Sequence, residues 1–148
     1  MKIVVVSDTH GNIDILKKVR MLNPNADMFL HCGDSELPPE LLDGFASVKG
    51  NCDYFDYPIS KTFDTPYGKI YMEHGNRAII HNDSYIESLN AKIILLGHTH
   101  RHSLRIVGDT FVANPGSLTR PRDDTNGTYL VINIKSQNDF DFEFKEIN

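Results

Sequence analysis

Short apolar runs alternate with longer polar stretches along the first two thirds of the chain. The apolar runs occupy residues 3–6, 28–31, 47–49, 70–73 and 93–96. Runs of this length between helical stretches are typical of buried parallel strands, and we expect residues 49–52 to close the third strand. This part of the chain is therefore predicted to alternate between strands and helices.

Helices are predicted in three of the intervening stretches. After the first run, Asn12 is a suitable N-cap, and apolar residues follow at helical spacing until residues 23–25 end the helix. A short, interrupted helix is predicted over residues 36–45, with two prolines at its start. A weaker helix is predicted over residues 77–91, with a break at Asn82-Asp83. The apolar anchors of the first and third helices are Ile15, Leu16, Val19, Leu22, Ile79, Ile80, Ile86 and Leu89.

The rest of the chain has the pattern of strands and tight turns. Residues 59–73 predict two strands joined at Tyr67-Gly68, and Gly108-Asp109 predicts the turn of a second hairpin. Turns are also predicted at Asn126-Gly127 and over residues 136–139, after which phenylalanines alternate with charged residues as in a half-exposed strand. No linker separates the two parts, so we expect a single domain over residues 1–148, with a sandwich of sheets flanked by helices.

Composition limits the classes of function. The chain has 148 residues, 40% hydrophobic and 24% charged, and a mean hydropathy of −0.34, as expected of a soluble globular protein. Its net charge of −5 argues against a broad nucleic-acid-binding surface. We expect no signal peptide and no membrane association, since the chain starts in a strand and lacks a long apolar run. The two cysteines make no disulfide framework, which favours a location in the cytoplasm. The oligomeric state is left open, with a homo-oligomer as one possibility.

Metal-binding residue types follow the apolar runs. Because ligands collect at the carboxyl ends of parallel strands, we expect these side chains to converge on one edge of the sheet. Two carboxylates, one amide and four imidazoles suit a pair of divalent cations, and such a pair suggests phosphoester hydrolysis. The candidate metal ligands are Asp8, His10, Asp34, Asn51, His74, His98 and His100.

The charge of such a centre indicates a substrate class. Two divalent ions, the Asp8 and Asp34 carboxylates and one bridging hydroxide give a net charge of about +1, which matches a phosphodiester monoanion. Asp34 follows Gly33, which lets the backbone approach a metal, and it is our candidate for the ligand shared by both ions. We expect Asp34, Asn51 and His98 to be the main catalytic residues.

The five polar blocks resemble the motifs of the calcineurin-like metallophosphoesterase superfamily. They read Asp8-Thr9-His10, Gly33-Asp34, Gly50-Asn51, His74-Gly75 and Gly97-His98-Thr99-His100. The resemblance runs from Met1 to about Arg122, and the short spacing is similar to that of the small single-domain phosphodiesterase branch. The segment Asn114-Pro115-Gly116-Ser117 and the following Arg120-Pro121-Arg122 also resemble that branch.

This resemblance implies a fold, a cofactor and a reaction. The fold would be α/β, a four-layer αββα sandwich of two mixed β-sheets flanked by helices, with the dimetal site at the carboxyl ends of strands. The cofactors would be two divalent ions, with manganese expected and nickel, iron or zinc as alternatives. A metal-bridging hydroxide would attack the phosphorus of a small-molecule phosphodiester in line. One ion would be held by Asp8, His10, Asp34 and His100, and the other by Asp34, Asn51, His74 and His98.

Two positions depart from the pattern of many superfamily members. Cys52 stands where larger members carry a histidine that is often cited as the general acid, although cysteine there is usual in the small branch. Asn76 stands where a second histidine often follows the His-Gly block. The proton donor for the leaving group therefore has no assignment from the sequence.

Two alternative functions stay open. A phosphomonoesterase would need a further cation for the second phosphate charge, and the candidate cations are Arg77, Arg101, Arg120 and Arg122. A non-catalytic protein-assembly scaffold is the other alternative, because a eukaryotic retromer subunit resembles this fold. Of the remaining histidines, we expect His31 to be structural, His81 to lie on a helix surface and His102 to be a weak candidate for substrate contact.

Overall fold

Two five-stranded mixed sheets pack face to face in the computed structural model, which describes residues 1–147. The first sheet has the order β10-β9-β1-β2-β3 and the second has the order β4-β5-β6-β8-β7. In chain order the strands are β1 (Lys2–Val6), β2 (Met28–His31), β3 (Ala46–Ser47), β4 (Ser60–Thr65), β5 (Gly68–Glu73), β6 (Ile93–Leu95), β7 (His102–Val107), β8 (Thr110–Pro115), β9 (Thr128–Ser136) and β10 (Asp139–Glu146).

The strands formed by the apolar runs pair in parallel, as predicted. Strands β1, β2 and β3 run parallel in one sheet, and β5, β6 and β8 run parallel in the other. Val6 pairs with His31 in the first sheet, and Met72 pairs with Leu95 in the second. The loops that follow these strands therefore begin at matching heights on one edge of each sheet.

Each sheet has one helix packed on its outer face. Helix α1 (Ile13–Leu22) places Leu16 and Val19 against β1, and helix α2 (Asp83–Ser88) places Ile86 against the second sheet. Single asparagines cap both helices, since Asn12 Oδ1 accepts the Ile15 N–H and Asn82 Oδ1 accepts the Tyr85 N–H. The layers confirm the predicted αββα sandwich, with few helical residues in its outer layers.

Several details differ from the sequence prediction. The helix over residues 36–45 is wrong, because only a 3-10 helix (Pro39–Leu41) forms there. The prolines leave that segment short of N–H donors, and left-handed backbone at Asp43 and Gly44 prevents its continuation. The weak helix is split by Asn82 into a 3-10 helix (Ala78–His81) and α2, as predicted.

The third strand and two apolar anchors also need correction. Strand β3 ends at Ser47, and residues 51–52 form a turn and do not extend the sheet. Leu22 and Ile79 are exposed, at 55% and 48%, and so do not anchor their helices in the core. The turns at Gly108-Asp109 and within residues 136–139 are confirmed. The first hairpin turns at residues 66–67, one residue earlier than predicted, and a bend over residues 123–126 replaces the turn predicted at Asn126-Gly127. Among residues 1–147, no helix has the length and apolar character needed to cross a bilayer.

Candidate metal centre

All seven predicted ligands lie in one connected cluster at the carboxyl ends of the central strands. His10 Nε2 lies 3.4 Å from His100 Nε2, which lies 3.2 Å from Asp8 Oδ1. Asp8 Oδ1 lies 3.7 Å from His74 Nε2, and His74 Nε2 lies 3.2 Å from Asp34 Oδ2. The loops after β1, β2, β5 and β6 therefore meet where the strand pattern predicts.

Asn51 and His98 complete the cluster on its open side. His98 Nδ1 lies 3.0 Å from Asn51 Oδ1, and the His98 ring meets the His74 ring edge-on with centroids 5.1 Å apart. Asn51 is exposed and His98 half-buried, whereas Asp8, Asp34 and His74 are buried. The centre is thus deep at its carboxylates and open to solvent at Asn51.

Two overlapping groups of side chains have the proximity that a metal ion requires. The first group contains Asp8, His10 and His100, and the second contains Asp8, Asp34 and His74. Asp8 belongs to both groups, whereas Asp34 belongs only to the second. The shared position of Asp34 between two ions therefore stays a prediction, with Asp8 as the competing candidate.

Hydrogen bonds fix the orientation of three histidine rings. The Nδ1–H groups of His74 and His100 donate to the carbonyl oxygens of Cys32 and Arg120, both at 2.7 Å. His10 Nδ1 lies 2.6 Å from a carboxylate oxygen of Glu36. Because each Nδ1 carries the proton, each Nε2 presents a lone pair to the cluster, as metal-ligating histidines do.

The buried centre has a deficit of positive charge that a cation would fill. Asp8 Oδ1 and His74 Nε2 are buried and have no hydrogen-bond partner. Burial lowers the pKa of His74, but the neighbouring Asp34 and Asp8 carboxylates outweigh this effect and the net shift is upward. Burial raises the pKa of Asp34, yet His74 and the Cys52 N–H outweigh it and bring the pKa to about 2. The carboxylates therefore favour positive charge at the position that the unpartnered atoms face, so the residues present fit a metal site.

The backbone of the ligand loops is strained. Five of the eight non-glycine residues with positive φ among residues 1–147 are predicted ligands. Left-handed backbone costs a non-glycine residue roughly 1–2 kcal/mol, and such residues concentrate at functional sites. The five ligands are Asp8, His10, Asp34, His98 and His100.

Two glycines let the loops approach one another. A Cβ added at Gly50 would lie 2.0 Å from Asp34 Oδ1, and one added at Gly97 would lie 2.0 Å from Ser7 Oγ. Atoms in van der Waals contact need about 3.5 Å, so neither position has room for a side chain. The glycines before Asn51 and His98 are thus a packing requirement of the centre.

Asp53 is an important residue that the sequence analysis missed. Its buried carboxylate accepts the N–H groups of Asp34, Glu36 and Gly50 at 2.7–2.9 Å. These three bonds join the Asp34 loop to the turn that carries Asn51, which explains why residues 50–51 leave the strand direction. The feature of the sequence that could have indicated this role is the position of Asp53, two residues after the Gly-Asn block.

Further hydroxyl groups hold the first ligand loop. Ser7 Oγ donates to Asp8 Oδ2, which also accepts the His98 N–H, so only Oδ1 faces the cluster. The hydroxyls of Ser117 and Thr119 both donate to the Asp8 carbonyl oxygen. Asp8 is consequently fixed through its side chain and its backbone.

His31 connects two ligand loops and does not join the cluster. The Gly33 N–H donates to His31 Nδ1 at 3.0 Å, so Nε2 carries the proton and donates to Thr9 Oγ1 at 2.8 Å. Burial first, and the nearby His74 second, lower the pKa of His31 to about 3, so the ring is neutral. This geometry agrees with the expected structural role.

The other expected contacts have different outcomes. Arg77 pairs with the buried Glu73 carboxylate at 2.6 Å, which largely cancels its charge. His102 is held by Asp123 at 2.8 Å and packs on a phenylalanine ring, while His81 bonds the Gly75 carbonyl oxygen. The remaining candidate arginines are exposed and have no acidic partner within 4.0 Å among residues 1–147. They are Arg101, Arg120 and Arg122.

A cavity of about 420 Å³ adjoins the open side of the cluster. Its walls are Glu36, Asn51, Cys52, Asp53 and Tyr54. Cys52 is exposed here, and its backbone N–H donates to Asp34 Oδ1. Asn76, the other departure from the motif pattern, is exposed in the loop after His74.

The chain is similar in sequence and in structure to proteins described as phosphoesterases. The calcineurin-like phosphoesterase superfamily domain matches residues 1–137. Over 145 residues the chain is 30% identical to a probable metallophosphoesterase, YsnB, of Bacillus subtilis strain 168, covering 92% of this chain and 86% of that protein. A crystal structure of a predicted phosphoesterase from Streptococcus pneumoniae superposes with a TM-score of 0.87 and 33% identity, covering 97% of this chain and 87% of the other.

More distant structures share the fold alone. An archaeal phosphodiesterase superposes with a TM-score of 0.75 and 19% identity, covering 98% of this chain and all of the other. Zinc-bound wild-type Vps29 of Entamoeba histolytica has a TM-score of 0.74 and 20% identity, with both chains fully covered.

Proposed function

The chain belongs to the calcineurin-like phosphoesterase superfamily, and from this membership we propose that it is a metal-dependent phosphodiesterase. The observation that carries the proposal is the pair of buried, unpartnered atoms, Asp8 Oδ1 and His74 Nε2, inside a cluster of ligand side chains. Leaving such atoms without partners is costly, and the cost is recovered when a cation binds between them.

The chain's own groups would hold and orient the reacting phosphate. Asp8 and Asp34 supply the negative charge for two divalent cations, and the imidazoles complete the donor set. Cations held there would polarise the phosphoryl group and acidify a water molecule. Asn51 and His98 lie at the open side, where a phosphate oxygen entering from the cavity would meet them first.

Charge favours a diester over a monoester. The donor set has two carboxylates, so two divalent ions and one hydroxide give a net charge of about +1. Of the candidate cations, Arg77 is paired with Glu73, and Arg101, Arg120 and Arg122 are exposed. The site therefore balances the single charge of a diester more closely than the two charges of a monoester.

The metal and the setting of the protein are also proposals. Oxygen and nitrogen donors without a thiolate support manganese, with nickel, iron or zinc as alternatives. The free thiols of Cys32 and Cys52 support a location in the cytoplasm. One core cluster contains residues of both sheets, which supports a single domain over residues 1–148.

The test combines metal binding with hydrolysis. Metal-stripped protein is titrated with Mn²⁺ by calorimetry, and the loaded protein is assayed with bis(p-nitrophenyl) phosphate and p-nitrophenyl phosphate. We expect binding of about two ions per chain, as a two-metal site requires, and preferential hydrolysis of the diester. Binding without hydrolysis of either ester would contradict the enzyme assignment, and absence of binding would leave the scaffold alternative.

A further inference from the structure

The cavity beside the cluster has the size of a ligand site. Its volume of about 420 Å³ exceeds what a phosphate needs and lies within the range of small-molecule pockets. It begins at Asn51, whose Oδ1 lies 3.0 Å from His98 Nδ1. A group esterified to a phosphate at the cluster can therefore extend directly into it.

Tyr54 borders this cavity, and its side chain makes no hydrogen bond to any of residues 1–147. The residue is 91% exposed, and its ring stacks on no other aromatic ring among residues 1–147. Tyr57, three residues later, is buried, and its hydroxyl donates to the Leu37 carbonyl oxygen at 2.6 Å. The same loop thus uses one tyrosine for folding and presents another at the mouth of the site.

The charged groups of the cavity restrict what it can bind. Glu36 and Asp53 place two carboxylates in its walls, bonded respectively to His10 and to three backbone N–H groups. A second anionic group of the substrate would be repelled there. An uncharged planar ring would meet no such penalty and could stack on the Tyr54 face.

We propose that this cavity is a subsite for an uncharged aromatic ring of nucleobase size, carried by one ester group of the substrate and stacked on Tyr54. The proposal rests on the proposed phosphodiesterase function and specifies its substrate class as nucleoside phosphodiesters. Tyr54 is then a residue that determines specificity without taking part in the chemical step.

The experiment compares two diesters that differ only in the base. They are adenosine 5′-(methyl phosphate) and ribose 5-(methyl phosphate), assayed with the manganese-loaded protein. We expect the nucleoside ester to have a kcat/KM at least about tenfold higher, in line with base–aromatic stacking on a single ring. Tyr54→Ala should reduce this ratio towards one, and Tyr54→Phe should retain most of it. Ile106→Ala, at a 66% exposed residue of β7, is the surface control and should leave the ratio unchanged.

Two outcomes would overturn the subsite. One is equal kcat/KM values for the two esters with the wild-type protein, and the other is an unchanged ratio in Tyr54→Ala. Equilibrium binding separates this proposal from the proposed function, because it requires no turnover. If the loaded protein hydrolyses neither ester, tighter binding of the nucleoside ester that is lost in Tyr54→Ala still supports the subsite, while equal binding of both esters contradicts it.

Discussion

Replacing Gly50 by alanine tests whether close approach of two loops creates the metal centre. The added Cβ would lie 2.0 Å from Asp34 Oδ1 and 2.5 Å from the Asp34 backbone nitrogen. Since unstrained contact needs about 3.5 Å, the loops would have to separate by about 1–1.5 Å. That shift would break the 2.8 Å bond from the Cys52 N–H to Asp34 and move Asn51 out of position.

The expected effect is large on function and moderate on stability. A misplacement of about 1 Å can cost roughly 100-fold in rate, and overpacking costs typically about 1–3 kcal/mol of stability. Gly50→Ala should therefore lower kcat/KM by about two orders of magnitude and weaken binding of at least one metal ion. The assays are steady-state hydrolysis of an aryl diester, calorimetric metal titration and urea unfolding.

Gly11 offers a matched control beside the same centre. A Cβ there would have no atom within 4 Å, and the only cost is backbone strain at φ +81°. Gly11→Ala should cost roughly 1–2 kcal/mol of stability while both ions still bind. The close-approach explanation is refuted if Gly50→Ala binds both ions with wild-type affinity and stays within threefold of the wild-type kcat/KM.

Four further predictions concern the centre. Purified protein should bind about two divalent ions per chain, and chelation should lower its Tm because the ions bind the folded state; calorimetry and thermal melts check both. Asp34→Asn should lower kcat more than about tenfold, which is about 1.4 kcal/mol of transition-state stabilisation, and should lower it more than Asn51→Ala does. A still larger loss of kcat in Asp8→Asn would make Asp8 the ligand shared by both ions. The aryl diester should have a higher kcat/KM than the matching monoester, and both rates should rise with pH. His98→Ala should nearly abolish both activities. A clearly higher kcat/KM for the monoester would refute the diester assignment. In metal-free protein, His31 stays neutral down to about pH 3 while the unfolded chain binds a proton below its usual 6.5. Between these two pH values the free energy of unfolding should therefore fall as the pH decreases, by up to about 1.4 kcal/mol per pH unit from this group. The fall should be smaller by that amount in His31→Gln, and urea unfolding measures both proteins.

Strand periodicity was sufficient to predict where the ligands that follow β1, β2, β5 and β6 meet. The apolar runs at residues 3–6 and 28–31 form parallel neighbours with Val6 opposite His31, so the residues after them necessarily share an edge. The hairpin turn at Gly108-Asp109 could also be predicted, because these residue types favour tight turns between strands. These features depend on local sequence and on a simple pairing rule.

Features set by distant hydrogen bonds could not be predicted in this way. The chain leaves the direction of β3 at Gly50 because Asp53 binds its N–H together with that of Asp34. The ring of His74 is oriented by the carbonyl oxygen of Cys32, 42 residues away in the chain. Residue type indicates that a histidine can bind metal, whereas only the fold decides which nitrogen faces the centre.

Five predicted ligands have positive φ angles, which strains the loops that carry them. Each left-handed residue costs roughly 1–2 kcal/mol, so the loops need compensation from elsewhere in the fold. Asp8 is held by the hydroxyls of Ser7, Ser117 and Thr119, and Asp34 by Asp53 and the Cys52 N–H. These bonds use groups that do not face the cluster, which leaves Asp8 Oδ1 without a partner. The hydrogen bonds therefore offset part of the strain of the ligand loops while leaving Asp8 Oδ1 directed at the cluster.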